Sequence, residues 1–297
     1  MMDADAGIGN VEIEDTFAEA FDMVYSRILV TAENEHWLNA ACQASTGFAT
    51  SVIGCGVEAG VEAFTDETPD GRPGAYLLFF TMGKKGLEKH LIGRIGQALM
   101  TCPTTAVFNA TDSDSRFDTG SSLRYFGDGH QASKVIGDVR YWRIPVMEGE
   151  FVVEESFGWR KGIGGGNFLI LAGSQNAALE ASRKAVEAIA PLPGVILPFP
   201  GGVVRSGSKI GSRYKFLSAS TNTAYCPTIR RQTDSVLRED VNCVLEVVID
   251  GVDEAAIKSA MKNGITAACK VDGVLAISAG NYGGKLGSFH FYLHKII

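Results

Sequence analysis

Apolar positions along this chain recur with two periods, and their alternation predicts the architecture. Ser26–Ala32 (SRILVTA) is an apolar, β-branched run and reads as a strand. Glu33–Ser45 carries Trp37, Leu38, Ala41 and Cys42 at helical spacing, with Gly47 as a closing helix glycine. Phe48–Ile53 (FATSVI) predicts a second strand, and Thr68–Gly74 (TPDGRPG) is dense turn chemistry. Ala75–Met82 is a continuous apolar strand, Leu87, Leu91, Ile95 and Ala98 return to helical spacing, and Thr104–Ala110 reads as a strand.

The second half repeats this order. Asn167–Gly173 predicts a strand, Ala178 to Ile189 a helix, Gly194–Pro200 a strand, and Gly201–Phe216 a turn-rich stretch. Asn242–Asp250 predicts a strand, Ile257, Met261, Ile265 and Ala268 a helix, and Gly273–Ala279 the last counterpart strand. The helical stripe of the second half sits 170 residues after that of the first. Each half therefore reads β-α-β, turns, β-α-β. The expected class is α+β, with two ferredoxin-like lobes and largely antiparallel sheets. The lobes are expected at residues 1–150, including a connecting segment that ends in the strand-like RYWRIPVM (Arg140–Met147), and at 151–297.

Charge and composition then remove function classes. The chain has 27 Lys plus Arg against 34 Asp plus Glu, a net charge of −7, which disfavours nucleic-acid binding. No run of about 18 apolar residues occurs, so no membrane helix is expected. The start, MMDADAGIGNVEIED, is acidic and lacks a cationic and an apolar region, so it does not read as a secretory signal. Six cysteines without a C-x-x-C pair read as reduced thiols of a cytoplasmic protein. The five histidines show no metal-ligand spacing; His290 and His294 would share one face if FHFYLH is a strand.

Candidate chemistry is sparse. GIGGGN (Gly162–Asn167) precedes a strand, whereas a dinucleotide loop follows one, and neither a P-loop nor a G-x-S-x-G elbow is present. Two glycine-rich loops, Gly201–Gly202 and Gly280–Gly284, are either ordinary turns or places where bare backbone N–H groups approach a ligand or hold an oxyanion. Arg205, Lys209, Arg213 and Lys215 form a basic cluster, either solvated or aimed at an anionic small molecule. Glu246 is the sharpest signal. It lies inside CVLEVVI with three apolar residues on each side. A buried carboxyl there would have a raised pKa and could move protons near neutral pH. The alternative is a strand with one solvated face.

Several segments together resemble the formylmethanofuran:tetrahydromethanopterin formyltransferase family. They are Glu14–Phe21 (EDTFAEAF), Thr46–Glu62, Thr68–Gly74, Gly96–Phe108, Phe199–Phe216 (FPGGVVRSGSKIGSRYKF), Asp240–Gly251 and Ile277–Gly287 (ISAGNYGGKLG). The likeness runs from about residue 11 to the C-terminus. It implies reversible formyl transfer from formylmethanofuran to N5 of tetrahydromethanopterin in C1 metabolism. The reaction would pass through a tetrahedral intermediate without a covalent acyl-enzyme. Methanofuran and tetrahydromethanopterin would be coenzyme substrates, with no permanently bound cofactor or metal. Glu246 matches the family's catalytic carboxylate, and Gly201, Gly202, Ser206, Lys209, Asn281, Tyr282 and Gly283 are expected to bind substrate. A homo-oligomer, dimer or tetramer, is expected. The rival readings are a non-catalytic scaffold and a subunit of a bacterial formyltransferase/hydrolase complex.

Overall fold

The structure, a computed structural model, describes residues 7–297; residues 1–6, the first part of the acidic MMDADAGIGNVEIED stretch, lie outside the described residues. Two compact units form. One is Met23–Gly162; the other joins the described residues up to Asp22 to Ile163–Ile297. The N-terminal strands count with the second half of the chain in this division.

In chain order the main elements begin with β1 (Val11–Ile13), β2 (Phe17–Thr31), α1 (Glu35–Thr46), β3 (Glu58–Thr65), β4 (Gly74–Thr81), α2 (Lys84–Arg94) and β5 (Ala106–Asn109). Next come β6 (Val139–Val146), β7 (Gly149–Glu154), β8 (Arg160–Ala172), α3 (Gln175–Ile189) and β9 (Val195–Ile196). The chain ends with β10 (Cys243–Gly251), α4 (Glu254–Ala268), β11 (Val274–Ser278) and β12 (Phe289–Tyr292).

In the Met23–Gly162 unit, antiparallel pairing gives the strand order β3-β4-β2-β5. In the other unit it gives β9-β10-β8-β11. Both are the β-α-β-β-α-β arrangement of a ferredoxin-like lobe. Each lobe also takes a parallel strand on its fourth strand, β7 on β5 and β1 on β11.

Helix starts follow local chemistry. Asn34, Ser174 and Asp253 each cap with a side-chain oxygen, accepting from the N–H of Trp37, Ala177 and Ala256. In the lobe that carries Glu246, period-2 alternation sorts the sheet. Phe168, Ile170, Val247, Ile249 and Ile277 pack with Ala181, Ala185, Ile189, Ile257, Met261 and Ile265 of the two helices. Leu169, Leu171 and Ala276 face the other way, under Leu237, Val241 and Tyr225 from the long connection between β9 and β10.

Several local expectations change. Phe48–Ile53 is not a strand. Phe48 is left-handed at φ 48, and Val52–Cys55 is a short helix whose Ser51 hydroxyl accepts from the N–H of Ile53. The strand is β3, whose alternation is masked by Glu58 and Glu62; Glu62 is paired with Arg27 at 2.6 Å. Gly194–Pro200 yields only the two residues of β9, because Pro198 and Pro200 lack the N–H a ladder needs. GIGGGN lies inside β8 rather than before it, at a bulge between Ile163 and Gly166. His294 is in a short C-terminal helix, so it does not share a strand face with His290.

Candidate active site

β10 fixes Glu246 from both sides. It stands opposite Leu169 of β8, and its backbone exchanges two hydrogen bonds with Val204, at 2.7 and 2.9 Å. Pairing with Leu169 puts its side chain on the sheet face opposite the helices. The carboxyl keeps some solvent contact but is closely surrounded by protein, and no described residue donates a hydrogen bond to it. Burial alone pushes its pKa up to about 7. A carboxyl near that value is present in both forms at neutral pH and can give or take a proton without a large energetic gap.

Beside Glu246 runs the loop that follows β11. A β-carbon on Gly280 would lie 3.6 Å from Glu246 Oε1 and 3.2 Å from Asn167 Oδ1, so glycine here permits close seating over the acid. Asn167, buried on β8, holds this residue twice: its Oδ1 accepts from Gly280 N–H at 2.6 Å and its Nδ2 donates to Gly280 O at 3.1 Å. Glu19 of β2 holds the rest of the loop. Its Oε2 accepts from the N–H of Tyr282 and Gly284 at 2.7 and 2.8 Å, and its Oε1 from Leu286 and Gly287, both at 2.6 Å. Burial pushes the Glu19 carboxyl up, but these four backbone donors outweigh it and hold the pKa below its ordinary value.

Two family models account for nearly the whole chain. That for formylmethanofuran-tetrahydromethanopterin formyltransferase matches residues 7–146, and that for the proximal lobe of the same enzyme matches 149–296. The chain belongs to the formylmethanofuran–tetrahydromethanopterin formyltransferase family. Among its relatives, the formyltransferase of Methylococcus capsulatus is 56% identical over 98% of this chain and 99% of its own. The Methanosarcina barkeri enzyme structure superposes with a TM-score of 0.93 at 49% identity, covering 98% of this chain and 99% of that one. A chain of the formyltransferase/hydrolase complex from Methylorubrum extorquens, solved with methylofuran, gives 0.96 at 45% identity and 99% coverage of both. The protein is a formyltransferase of C1 metabolism, and its two-lobed, largely antiparallel fold is that of the family.

In this formyltransferase the residues expected at the site divide. Gly201 (φ 64) is exposed with open space around its α-carbon. Gly202 (φ 76) is buried, and a β-carbon there would meet Val186 Cγ2 at 2.8 Å and Leu197 Cδ1 at 3.0 Å. It is a turn packed against α3. Ser206 and Lys209 are exposed; Lys209 Nζ donates to Thr223 Oγ1 at 2.9 Å, bracing a small hairpin. Tyr282 reaches this segment, its hydroxyl 3.4 Å from Ser208 Oγ. Gly283 (φ 73) is exposed and open, whereas Asn281 is tied down, donating to Thr16 Oγ1 and Phe17 O, both at 3.2 Å.

Four of the five N–H groups of the Gly280–Gly284 loop, the candidate oxyanion donors, are committed inside the protein. Gly280 N–H donates to Asn167, Tyr282 and Gly284 N–H to Glu19, and Gly283 N–H to Asn281 Oδ1 at 3.1 Å. Donors already spent inside the protein cannot stabilise charge on a substrate. Sequence reasoning missed Glu19 and Asn167. Glu19 lies within the family segment Glu14–Phe21 and Asn167 ends GIGGGN, but neither carries a local signal of its partner. Among the described residues no group of three His, Cys, Asp or Glu side chains could hold a metal.

Proposed function

We propose that Glu246 is the acid–base group of formyl transfer between formylmethanofuran and tetrahydromethanopterin. The observation that carries this is a lone carboxyl, without a hydrogen-bond partner among the described residues, whose pKa burial raises to about 7 on the sheet face opposite the helices. The attacking pterin nitrogen forms a bond to the formamide carbon and gives a tetrahedral oxyanion. Its proton passes to Glu246. The carbon–nitrogen bond to methanofuran then breaks as Glu246 returns the proton to the leaving amine. No acyl-enzyme is needed, because one carboxyl serves both nitrogens. Holding two coenzymes in contact supplies much of the remaining rate. Residues 188–233 contain no Asp or Glu but include Arg205, Lys209, Arg213, Lys215, Arg230 and Arg231, which suits anionic parts of a coenzyme.

Glu246→Gln tests the assignment. Gln keeps the shape but carries no transferable proton, so formyl transfer between the purified coenzymes should fall at least about a hundredfold with the fold intact. Near-normal turnover would remove Glu246 from the mechanism. The same reading gives a homo-oligomer. A second assembly, with hydrolase subunits, is favoured by the 0.96 superposition on the formyltransferase/hydrolase complex chain, and co-purification from the source cells decides it.

A further inference from the structure

Four N–H groups converging on one point normally make a nest for a ligand anion. Here the anion is the protein's own Glu19 carboxylate, set on a strand more than 260 residues earlier in the chain. The same strand reaches the start of the loop, since Glu19 N–H donates to Gly280 O at 3.1 Å. Gly280 O therefore accepts from Glu19 N–H and Asn167 Nδ2 together, and Gly280 N–H is held by Asn167 Oδ1. Both backbone polar groups of Gly280 are committed, so the loop is pinned where it passes Glu246. Gly287 is seated as closely at the far end. A β-carbon there would fall 2.3 Å from Ala20 O.

We propose that Asn167 and Glu19 are positioning residues for formyl transfer, gripping the 280–287 loop so that Gly280 forms the wall that keeps water from the Glu246 carboxyl. Around Glu246 the facing groups are uncharged: Leu169 opposite it on β8, Asn167 two residues along that strand, Val204 on its other side, and Gly280. No nearby charge contributes to its raised pKa, so its proton affinity depends on how well these neighbours exclude solvent. The loop has conformational freedom to lose, because Gly283 and Gly284 both take left-handed angles. Without the grip of Asn167 and Glu19, water would reach the acid and bring it back toward an ordinary carboxyl.

This inference rests on the assignment of Glu246, and the readouts keep the two apart. Asn167→Ala is the main variant, read by 13C titration of the Glu246 carboxyl, by amide deuterium exchange over 280–287, and by kcat and KM. We expect the Glu246 pKa to fall by at least about one unit, the loop amides to lose protection, and kcat to drop roughly tenfold to a hundredfold with a smaller change in KM. Glu19→Gln, which keeps one acceptor oxygen and presents an amide to the other two donors, should deprotect the same amides and lower kcat. Glu19→Gln, which loosens the loop from its other side, should show the same fall in Glu246 pKa and supplies that readout even if Asn167→Ala does not fold. An unmoved Glu246 titration in the folded variants overturns the proposal, as does a loss of rate with loop protection unchanged. Full activity of Glu246→Gln would instead remove the catalytic assignment while leaving the titration result to judge the clamp.

Discussion

Glu246 and Glu19 are both carboxyls in the same lobe, and their surroundings drive them in opposite directions. Glu19 is buried yet receives four backbone N–H donors, and its pKa falls. Glu246 receives none from described residues, and burial raises its pKa to about 7. The stability consequence of Glu246 follows from linkage. In the unfolded chain the group ionises near the ordinary value of 4.5, while the folded protein holds the proton up to about 7. Folding therefore loses stability as pH rises through that window, and the full penalty is present above it. Its size is at most roughly 3 kcal/mol, reduced by the solvent contact the side chain retains. Glu246→Gln should match the parent in thermal stability at pH 4.5 and exceed it at pH 8. Equal melting temperatures at both pH values would show that the carboxyl is not protonated by its surroundings.

At the level of elements, the duplication explains where an acid can sit. The 170-residue offset between the helical stripes carries Glu246 onto Tyr76 of β4. Tyr76 pairs with Leu29 and packs with an apolar cluster that includes Phe108, so the equivalent sheet face of the first lobe has no carboxyl at that point. The turn after Phe199 illustrates a different constraint. Gly201 and Gly202 are adjacent and both left-handed, but only Gly202 has side chains at its α-carbon. Gly202→Val should cost at least about 2 kcal/mol from backbone strain and collision with Val186. Gly201→Ala should cost about 1 kcal/mol from its angle alone. Melting curves of the two variants check this ranking, and a Gly202→Val protein as stable as the parent would overturn it.

For the whole molecule, several large apolar side chains remain uncovered in the single chain. Phe48 and Phe216 are each 82% exposed, and Met147 is fully exposed. Apolar surface of this kind commonly marks contacts with protein partners, and closed symmetric assembly is the usual way a chain covers its own. Sedimentation at micromolar protein should give a species at least twice 31.7 kDa, and dilution that dissociates it should reduce activity in step. A fully active monomer would exclude both the assembly and any dependence of the site on it.

Local pattern was enough for most of the frame. Period-2 and helical spacing predicted the duplicated lobes, the turn-rich excursion after Pro200, and a lone acid inside an apolar strand, because burial imposes those periods directly on the sequence. It failed at Phe48–Ile53, where a left-handed residue and a capped turn override the β-branched run, and at β3, where Glu62 looks exposed until Arg27 is beside it. What only tertiary structure decided is the environment of Glu246. The face it occupies, the seat of Gly280 against it, and the commitment of the loop N–H groups to Glu19 and Asn167 all depend on partners 77 to 268 residues apart. A hydrogen bond across that separation leaves no periodic trace in the sequence, since it constrains one residue at each end and nothing between.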